Sequence, residues 1–84
     1  MHIPIDLLNT FAVVAETRNF TRAGKRIHKS QSAVSMQIKR LTEIVGKPLI
    51  EVEGKQVRLS PMGELVLEQA RKILSVHDAA MKAI

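Results

Sequence analysis

Apolar residues recur at helical spacing near the start of the chain. Leu7, Phe11 and Val14 lie four and three residues apart, which places their side chains on one face of a helix. The pattern therefore predicts a first helix over about residues 5–18.

Two further helices are predicted next, joined by a short turn. Thr21 can cap the start of the second helix, which is expected to span about residues 21–27. Ser30 is the capping candidate for the third helix, whose apolar residues recur every three or four positions. This third helix is expected to span about 30–45 and to end at Gly46.

The period of the pattern then changes from helical to alternating. Apolar and charged residues alternate over residues 49–59 around a glycine-lysine pair, which predicts a two-stranded hairpin. Ser60 and Pro61 then combine a capping residue with proline at the first helical position. They predict a fourth helix over residues 61–84, about 36 Å long at the usual rise of about 1.5 Å per residue.

One face of this fourth helix stays apolar to its far end. A body of about 60 residues is too small to cover that length, so we predict that the same helix of a second chain covers it in a symmetric dimer. The predicted interface residues are Val66, Ala70, Ile73, Leu74, His77, Ala80 and Met81.

The composition fits one small domain and excludes several classes of site. The 84 residues include 45% hydrophobic residues and no cysteine, so thiolate-metal sites and cysteine nucleophiles are excluded. The three histidines lie far apart, and neither a glycine-rich phosphate loop nor paired carboxylates stand out. We therefore expect no metal, no cofactor and no enzymatic activity. The longest apolar run, residues 11–15, is far too short to span a membrane.

Positive charge is concentrated in one block of the chain. The formal net charge is +5, and residues 18–47 hold eight lysines and arginines with a single glutamate. Such a block favours a polyanionic partner, and two remain open: double-stranded DNA, or an acidic protein or membrane surface on which a basic helical module docks. Single-stranded nucleic acid is disfavoured because the chain has no tryptophan or tyrosine for base stacking.

The order of elements defines a fold. Two short helices joined by a tight turn and followed by a hairpin predict a winged helix-turn-helix, a mainly α fold over residues 1–60. Residues 61–84 then form a linker or dimerisation helix. The third helix is the candidate recognition helix, because small polar residues near its start let it enter a major groove. Gln31 at that start can bond an adenine edge.

Four segments resemble the DNA-binding domain of LysR-type bacterial transcriptional regulators: FTRAGKRIHKSQSAVSMQIKRL, GKPL, LIEVEGKQVRLSPMG and ARKIL. The resemblance extends from residue 5 to about residue 80. It implies sequence-specific binding to double-stranded DNA by a dimer at promoter inverted repeats. The recognition helix, about 30–45, would lie in the major groove, and the wing, 49–59, at the minor groove.

The resemblance also implies a larger parent protein. Family members usually continue into an effector-binding domain, so this chain is expected to be an amino-terminal module without that domain. The parent would be a dimer or tetramer in the bacterial cytoplasm, associated with the nucleoid. It would meet a small-molecule effector only through the absent domain.

Roles for individual residues follow from the same resemblance. The implied base contacts are Gln31, Ser32, Ser35 and Met36. The implied contacts to the DNA backbone are Thr21, Arg22, Lys29, Ser30, Lys39 and Arg40. Lys55 at the wing tip is the implied minor-groove contact.

Several residues depart from the pattern usual in these regulators. Lys29 replaces an aliphatic residue, and Glu51, Val52 and Glu53 make the wing more acidic and less basic, which leaves its contact with DNA open. Gly24 replaces an alanine and permits two interpretations. Either it is an ordinary helix position that alanine would stabilise, or the missing methyl group lets the second and third helices approach closely.

Overall fold

The computed structural model describes residues 2–84, so Met1 of the predicted 1–60 domain lies outside the described residues. Over residues 2–84 four helices and one antiparallel hairpin follow in the predicted order, and the predicted fold class is confirmed. Their ends differ from the predicted ones by at most one residue. The elements are α1 (Ile5–Thr17), α2 (Phe20–Ile27), α3 (Gln31–Val45), β1 (Ile50–Glu53), β2 (Gln56–Leu59) and α4 (Pro61–Ala83).

Side-chain caps set where three of the helices begin. The hydroxyl groups of Ser30 and Ser60 accept hydrogen bonds from the backbone amide three residues further along, at 3.1 and 3.0 Å, as predicted. The cap of α2 is Asn19, whose Oδ1 accepts from a backbone amide at 2.9 Å. The prediction that Thr21 caps α2 is therefore wrong. Asparagine is an equally good cap, and its position starts the helix one residue earlier.

Left-handed residues end the first three helices. Gly46 ends α3 with φ 83°, a conformation that glycine adopts without steric cost. Arg18 and His28 end α1 and α2 with φ 57° and 58°, at a cost of about 1–2 kcal/mol each because both carry a Cβ. Because the backbone reverses sharply at these two left-handed residues, the turns on either side of α2 are short.

The core is centred on α1, which packs against α2, α3, α4 and β2. Phe11 and Val14 of α1 and Leu41 of α3 are fully buried. Leu49 and Val57 extend the core into the wing and are also buried. Complete burial of each such side chain contributes about 1.5–3 kcal/mol, so these residues hold the recognition helix and the wing in one body.

Two backbone hydrogen bonds hold the wing in place, one near its tip and one at its base. In the β1–β2 register, Val52 lies opposite Val57. The amide of Val57 donates to the carbonyl oxygen of Arg18 at 3.0 Å, and the amide of Ser60 donates to that of Leu49 at 3.0 Å. The wing is therefore closed at its base, and β2 is fixed to the end of α1 near the tip, so that only the Glu53–Gln56 pair and the turn lie beyond this bond.

The second half of α4 projects from the body. Gly63, Leu67 and Ala70 are buried, and within the described chain no residue after Ala70 is buried. The helix is about 35 Å long at its usual rise, in a molecule whose longest axis is 42 Å. Within residues 2–84, none of the helices combines the length and apolar character that a membrane-spanning helix requires.

Candidate nucleic-acid interface

The outward face of α3 carries the four residues predicted to contact bases. Gln31, Ser32, Ser35 and Met36 are all exposed, and 70% of the surface of Met36 is accessible. The opposite face of the same helix is buried in the core. Because the serines are small, the edge of a base pair can approach the helix closely at these positions.

Thr21 has a role that the sequence did not predict. Its Oγ1 donates a hydrogen bond to Oε1 of Gln31 at 3.1 Å, which joins α2 to the first residue of α3. A glutamine that bonds adenine uses both its amide oxygen and its amide nitrogen. By fixing the oxygen, Thr21 also orients the nitrogen. No sequence signal reveals this contact, because it depends on how α2 and α3 pack.

Six of the eight cations in the 18–47 block form no ion pair within residues 2–84. These six are Arg18, Arg22, Lys25, Lys39, Arg40 and Lys47. A cleft of about 540 Å³ separates the amino end of α2 from the wing, and its lining includes Arg22, Lys25 and Lys55. The predicted contacts Arg22 and Lys55 therefore share one positively charged cleft.

Lys29 is engaged inside the domain. Its Nζ lies 2.8 Å from Oδ2 of Asp6, and only 27% of its side chain is exposed. Hydrogen bonds from Lys29 and Gln37 hold the pKa of the Asp6 carboxyl below its ordinary value. The ammonium group is thus already bonded to a carboxylate of its own domain, and this ion pair competes with the predicted contact between Lys29 and the DNA backbone.

The wing balances part of its unusual acidic charge. Glu53 forms an ion pair with Arg58 at 3.4 Å, and Glu51 lies opposite Arg58 in the strand register. The turn between β1 and β2 contains Lys55, which is exposed. The tip of the wing therefore presents a cation, while Arg58 offsets the carboxylates behind it.

The exposed apolar face of α4 differs in part from the predicted one. Ala70 is fully buried in the core of its own chain, so its prediction as an interface residue is wrong. Val66 also packs partly against that core, whereas Ile73 and Met81 are exposed as expected. Val76 is 71% exposed and was not predicted. Helical spacing identified the apolar residues but not which of two adjacent apolar faces turns towards the body.

A winged helix-turn-helix with a polar, exposed recognition face and unpaired cations beside it defines a DNA-binding domain. Residues 5–64 match the family described as "Bacterial regulatory helix-turn-helix protein, lysR family". The chain belongs to this family of transcriptional regulators, as the resemblance in its sequence implied.

Individual relatives agree with this assignment. The HTH-type transcriptional regulator DgdR of Burkholderia cepacia is 47% identical over 79 residues, which cover 94% of this chain and 27% of DgdR. The first curated relatives are longer proteins, of which the chain spans 27% and 52%. Both of these relatives are HTH-type transcriptional regulators.

Solved structures of DNA complexes share the fold. The CbnR_DBD-DNA complex has a TM-score of 0.90 at 31% identity, covering 96% of this chain and 93% of that chain. The BenM_DBD/catB site 1 DNA complex has a TM-score of 0.91 at 30% identity, covering 96% of this chain and 91% of that chain.

Proposed function

We propose that this chain binds double-stranded DNA sequence-specifically, as a dimer on inverted repeats in promoters. In each half-site α3 lies in the major groove and the wing lies at the minor groove. The proposal is based on one observation: Gln31, Ser32, Ser35 and Met36 are all exposed on the face of α3 opposite its core face, with unpaired cations beside them. The DNA complexes of CbnR and BenM support the same class of partner.

Base contacts come from the outward face of α3. Gln31 bonds an adenine through its amide, in the orientation that Thr21 favours. Ser32 and Ser35 accept or donate single hydrogen bonds, and Met36 packs against an apolar group such as a thymine methyl. These contacts determine which base pairs are preferred at each half-site.

Contacts to the phosphates position the domain and carry most of the non-specific affinity. The residues proposed for them are Thr21, Arg22, Ser30, Lys39 and Arg40, with Lys55 at the wing. Thr21 would use its backbone amide, because its single hydroxyl proton is donated to Gln31. Ser30 also serves as the cap of α3. Free amide groups at a helix start suit a phosphate, so capping and phosphate contact are compatible.

The projecting half of α4 supplies the dimer contact. Ile73, Val76 and Met81 are 44%, 71% and 58% exposed, although each is apolar. Burying them, with Leu74, His77 and Ala80, against the same helix of a second chain would remove this surface from water. We further propose that the whole regulator acts at the bacterial nucleoid and meets its effector through a separate domain.

The first experiment is selection of bound duplexes from a random pool, followed by titration of the selected duplex. We expect two half-sites related by a dyad. If the dimer neutralises about six to ten phosphates, log K should fall against log salt with a slope of about −5 to −9. Binding to anionic vesicles with equal affinity, or a slope near zero, would contradict the proposal.

Two substitutions separate base contact from phosphate contact. Gln31→Ala should cost about 1–3 kcal/mol on the selected duplex and relax the preference at one base pair in each half-site. Arg22→Ala should weaken selected and random duplexes alike. If Gln31→Ala weakened both duplexes equally, Gln31 would not be a base contact.

A further inference from the structure

A network of side-chain hydrogen bonds joins the recognition helix to the start of α1. Oδ2 of Asp6 accepts from Nζ of Lys29 at 2.8 Å and from Nε2 of Gln37 at 2.6 Å. Nζ of Lys29 also donates to Oε1 of Gln37 at 2.9 Å. Asp6, Lys29 and Gln37 therefore bond to one another in pairs, and we call them the Asp6–Lys29–Gln37 network.

The network is anchored in the core and crosses three parts of the fold. Thr10 of α1 is fully buried, and its Oγ1 donates to Oε1 of Gln37 at 2.7 Å. Lys29 lies in the turn between α2 and α3, and Gln37 lies in the middle of α3 directly after Met36. The side-chain amide of Gln37 is therefore hydrogen-bonded by Asp6, by Lys29 and by the buried Thr10.

This arrangement constrains the rotation of α3 about its own axis. An isolated ion pair at a surface restrains its elements weakly. Here the carboxylate and the ammonium group both bond the same amide, so turning the helix breaks two charge-assisted hydrogen bonds at once. Side-chain tips lie about 5–6 Å from a helix axis, so a rotation of about 10° moves them by about 1 Å. Such a movement is enough to lose a base contact.

We propose that Asp6, Lys29 and Gln37 set the rotation of α3 and act as positioning residues for sequence recognition. The inference rests on the proposed base contacts of α3 and deepens them. It assigns a function to a carboxylate in a DNA-binding domain, although its charge opposes phosphate. It also assigns Lys29 a task other than contact with the DNA backbone.

The sign of one substitution distinguishes positioning from simple charge. Removing a carboxylate that only repels phosphates strengthens binding to every duplex alike. Removing a positioning carboxylate weakens binding to the selected duplex relative to a random one. The quantity to measure is therefore the specificity ratio, the affinity for the selected duplex divided by the affinity for a scrambled duplex of equal length.

The experiment uses Asp6→Ala, with Glu16→Ala as the matched control. Glu16 is also exposed on α1, and its ion pair with Arg26 lies outside the network. We expect Asp6→Ala to lower the specificity ratio about three- to tenfold, the size of one net hydrogen bond, and Glu16→Ala to leave it unchanged. Lys29→Met should lower the ratio equally, and Lys29→Arg, which keeps charge and donors, should restore most of it.

A double substitution tests whether the residues act as one unit. Asp6→Ala with Lys29→Met should lower the ratio no further than either change alone. Three results would overturn the inference: effects that multiply in the double variant, an unchanged ratio in Asp6→Ala, or a Lys29→Met variant that weakens both duplexes alike. In the last case the salt slope of the dimer would become shallower by about two, one phosphate contact per protomer. The unchanged chain is titrated first, so failure of the proposed function itself appears there.

A measurement without DNA covers variants that are too unstable for titration. In ¹H–¹⁵N spectra of Lys29→Met and Lys29→Arg at low temperature, amide signals of residues 31–37 should move in the first variant and remain near their original positions in the second. Signals of α4 should stay unchanged in both. Equal shifts throughout the domain would indicate a general loss of structure and would overturn the positioning role.

Discussion

Gly63 occupies a place on α4 where any side chain meets backbone. A Cβ added there would lie 2.0 Å from the carbonyl oxygen of Leu49 and 3.0 Å from its carbonyl carbon. Neither atom belongs to a flexible side chain, so Gly63→Ala must push α4 away from residues 48–49. The same carbonyl accepts the hydrogen bond from the amide of Ser60, which starts α4.

The expected loss of stability combines three contributions. The steric cost lies near the upper end of the range for overpacking, about 3 kcal/mol, because the opposing atoms are backbone. Loss of the hydrogen bond between Ser60 and Leu49 adds about 1 kcal/mol. The better helix propensity of alanine offsets about 1 kcal/mol of this loss. The net decrease in the free energy of unfolding is about 3 kcal/mol, equivalent to a Tm lower by about 12–24 °C for a domain of this size.

Thermal and urea denaturation followed by circular dichroism would measure this decrease. Gln69→Ala, an exposed change on the same helix, serves as the control and should alter the free energy of unfolding by no more than about 0.5 kcal/mol. A Gly63→Ala variant with the Tm of the unchanged chain would refute the reasoning, since α4 would then move away from Leu49 without cost.

Three further predictions follow from other parts of the structure. Gly24→Ala should lower the free energy of unfolding by about 1 kcal/mol in urea titrations. The added methyl group would lie 2.4 Å from the carbonyl oxygen of Lys29, and the cost of this overpacking outweighs the gain in helix propensity. A more stable variant would contradict this prediction. The lowered pKa of Asp6 stabilises the folded state above the ordinary value of 3.8 and ceases to do so as pH falls through the lower folded value. The stability difference between the unchanged chain and Asp6→Ala should therefore be constant near neutral pH and shrink below about pH 4, whereas a constant difference down to pH 2 would refute the linkage. Ile73→Glu should give monomers in sedimentation while Ser75→Glu, on the polar face, leaves the dimer intact; a monomeric unchanged chain would refute the dimer.

The fold could be predicted from the sequence because its signals are local. Ser30, Gly46, Ser60 and Pro61 mark helix boundaries by chemistry that acts within a few residues. Apolar periodicity fixes which face of α1, α2 and α3 is buried. The one error in capping arose where Asn19 and Thr21 are both good caps only two residues apart. Capping preference alone cannot decide which of these two residues starts α2, whereas the packing of Phe20 can.

The candidate site could be predicted only in part, because some of its features depend on packing between distant segments. The exposure of Met36 follows from its place opposite the core face of one helix. The engagement of Lys29 with Asp6 joins residues 23 positions apart, and nothing within either segment signals it. The burial of Ala70 likewise depends on how far α1 reaches along α4. The sequence pattern of a single helix or strand therefore does not predict the contacts that this element makes with others.

The hydrogen bond between Val57 and Arg18 has a consequence for the thermodynamics of binding. Because this bond already fixes β2 close to the wing turn before DNA arrives, the hairpin loses little backbone freedom on binding. The conformational entropy that is lost comes mainly from the turn. Ordering a residue costs about 1–2 kcal/mol of free energy at 25 °C. A wing made of a few fixed residues and one short turn can therefore gain from a single cationic contact such as Lys55, whereas a loose loop of equal length would lose more in entropy than that contact returns.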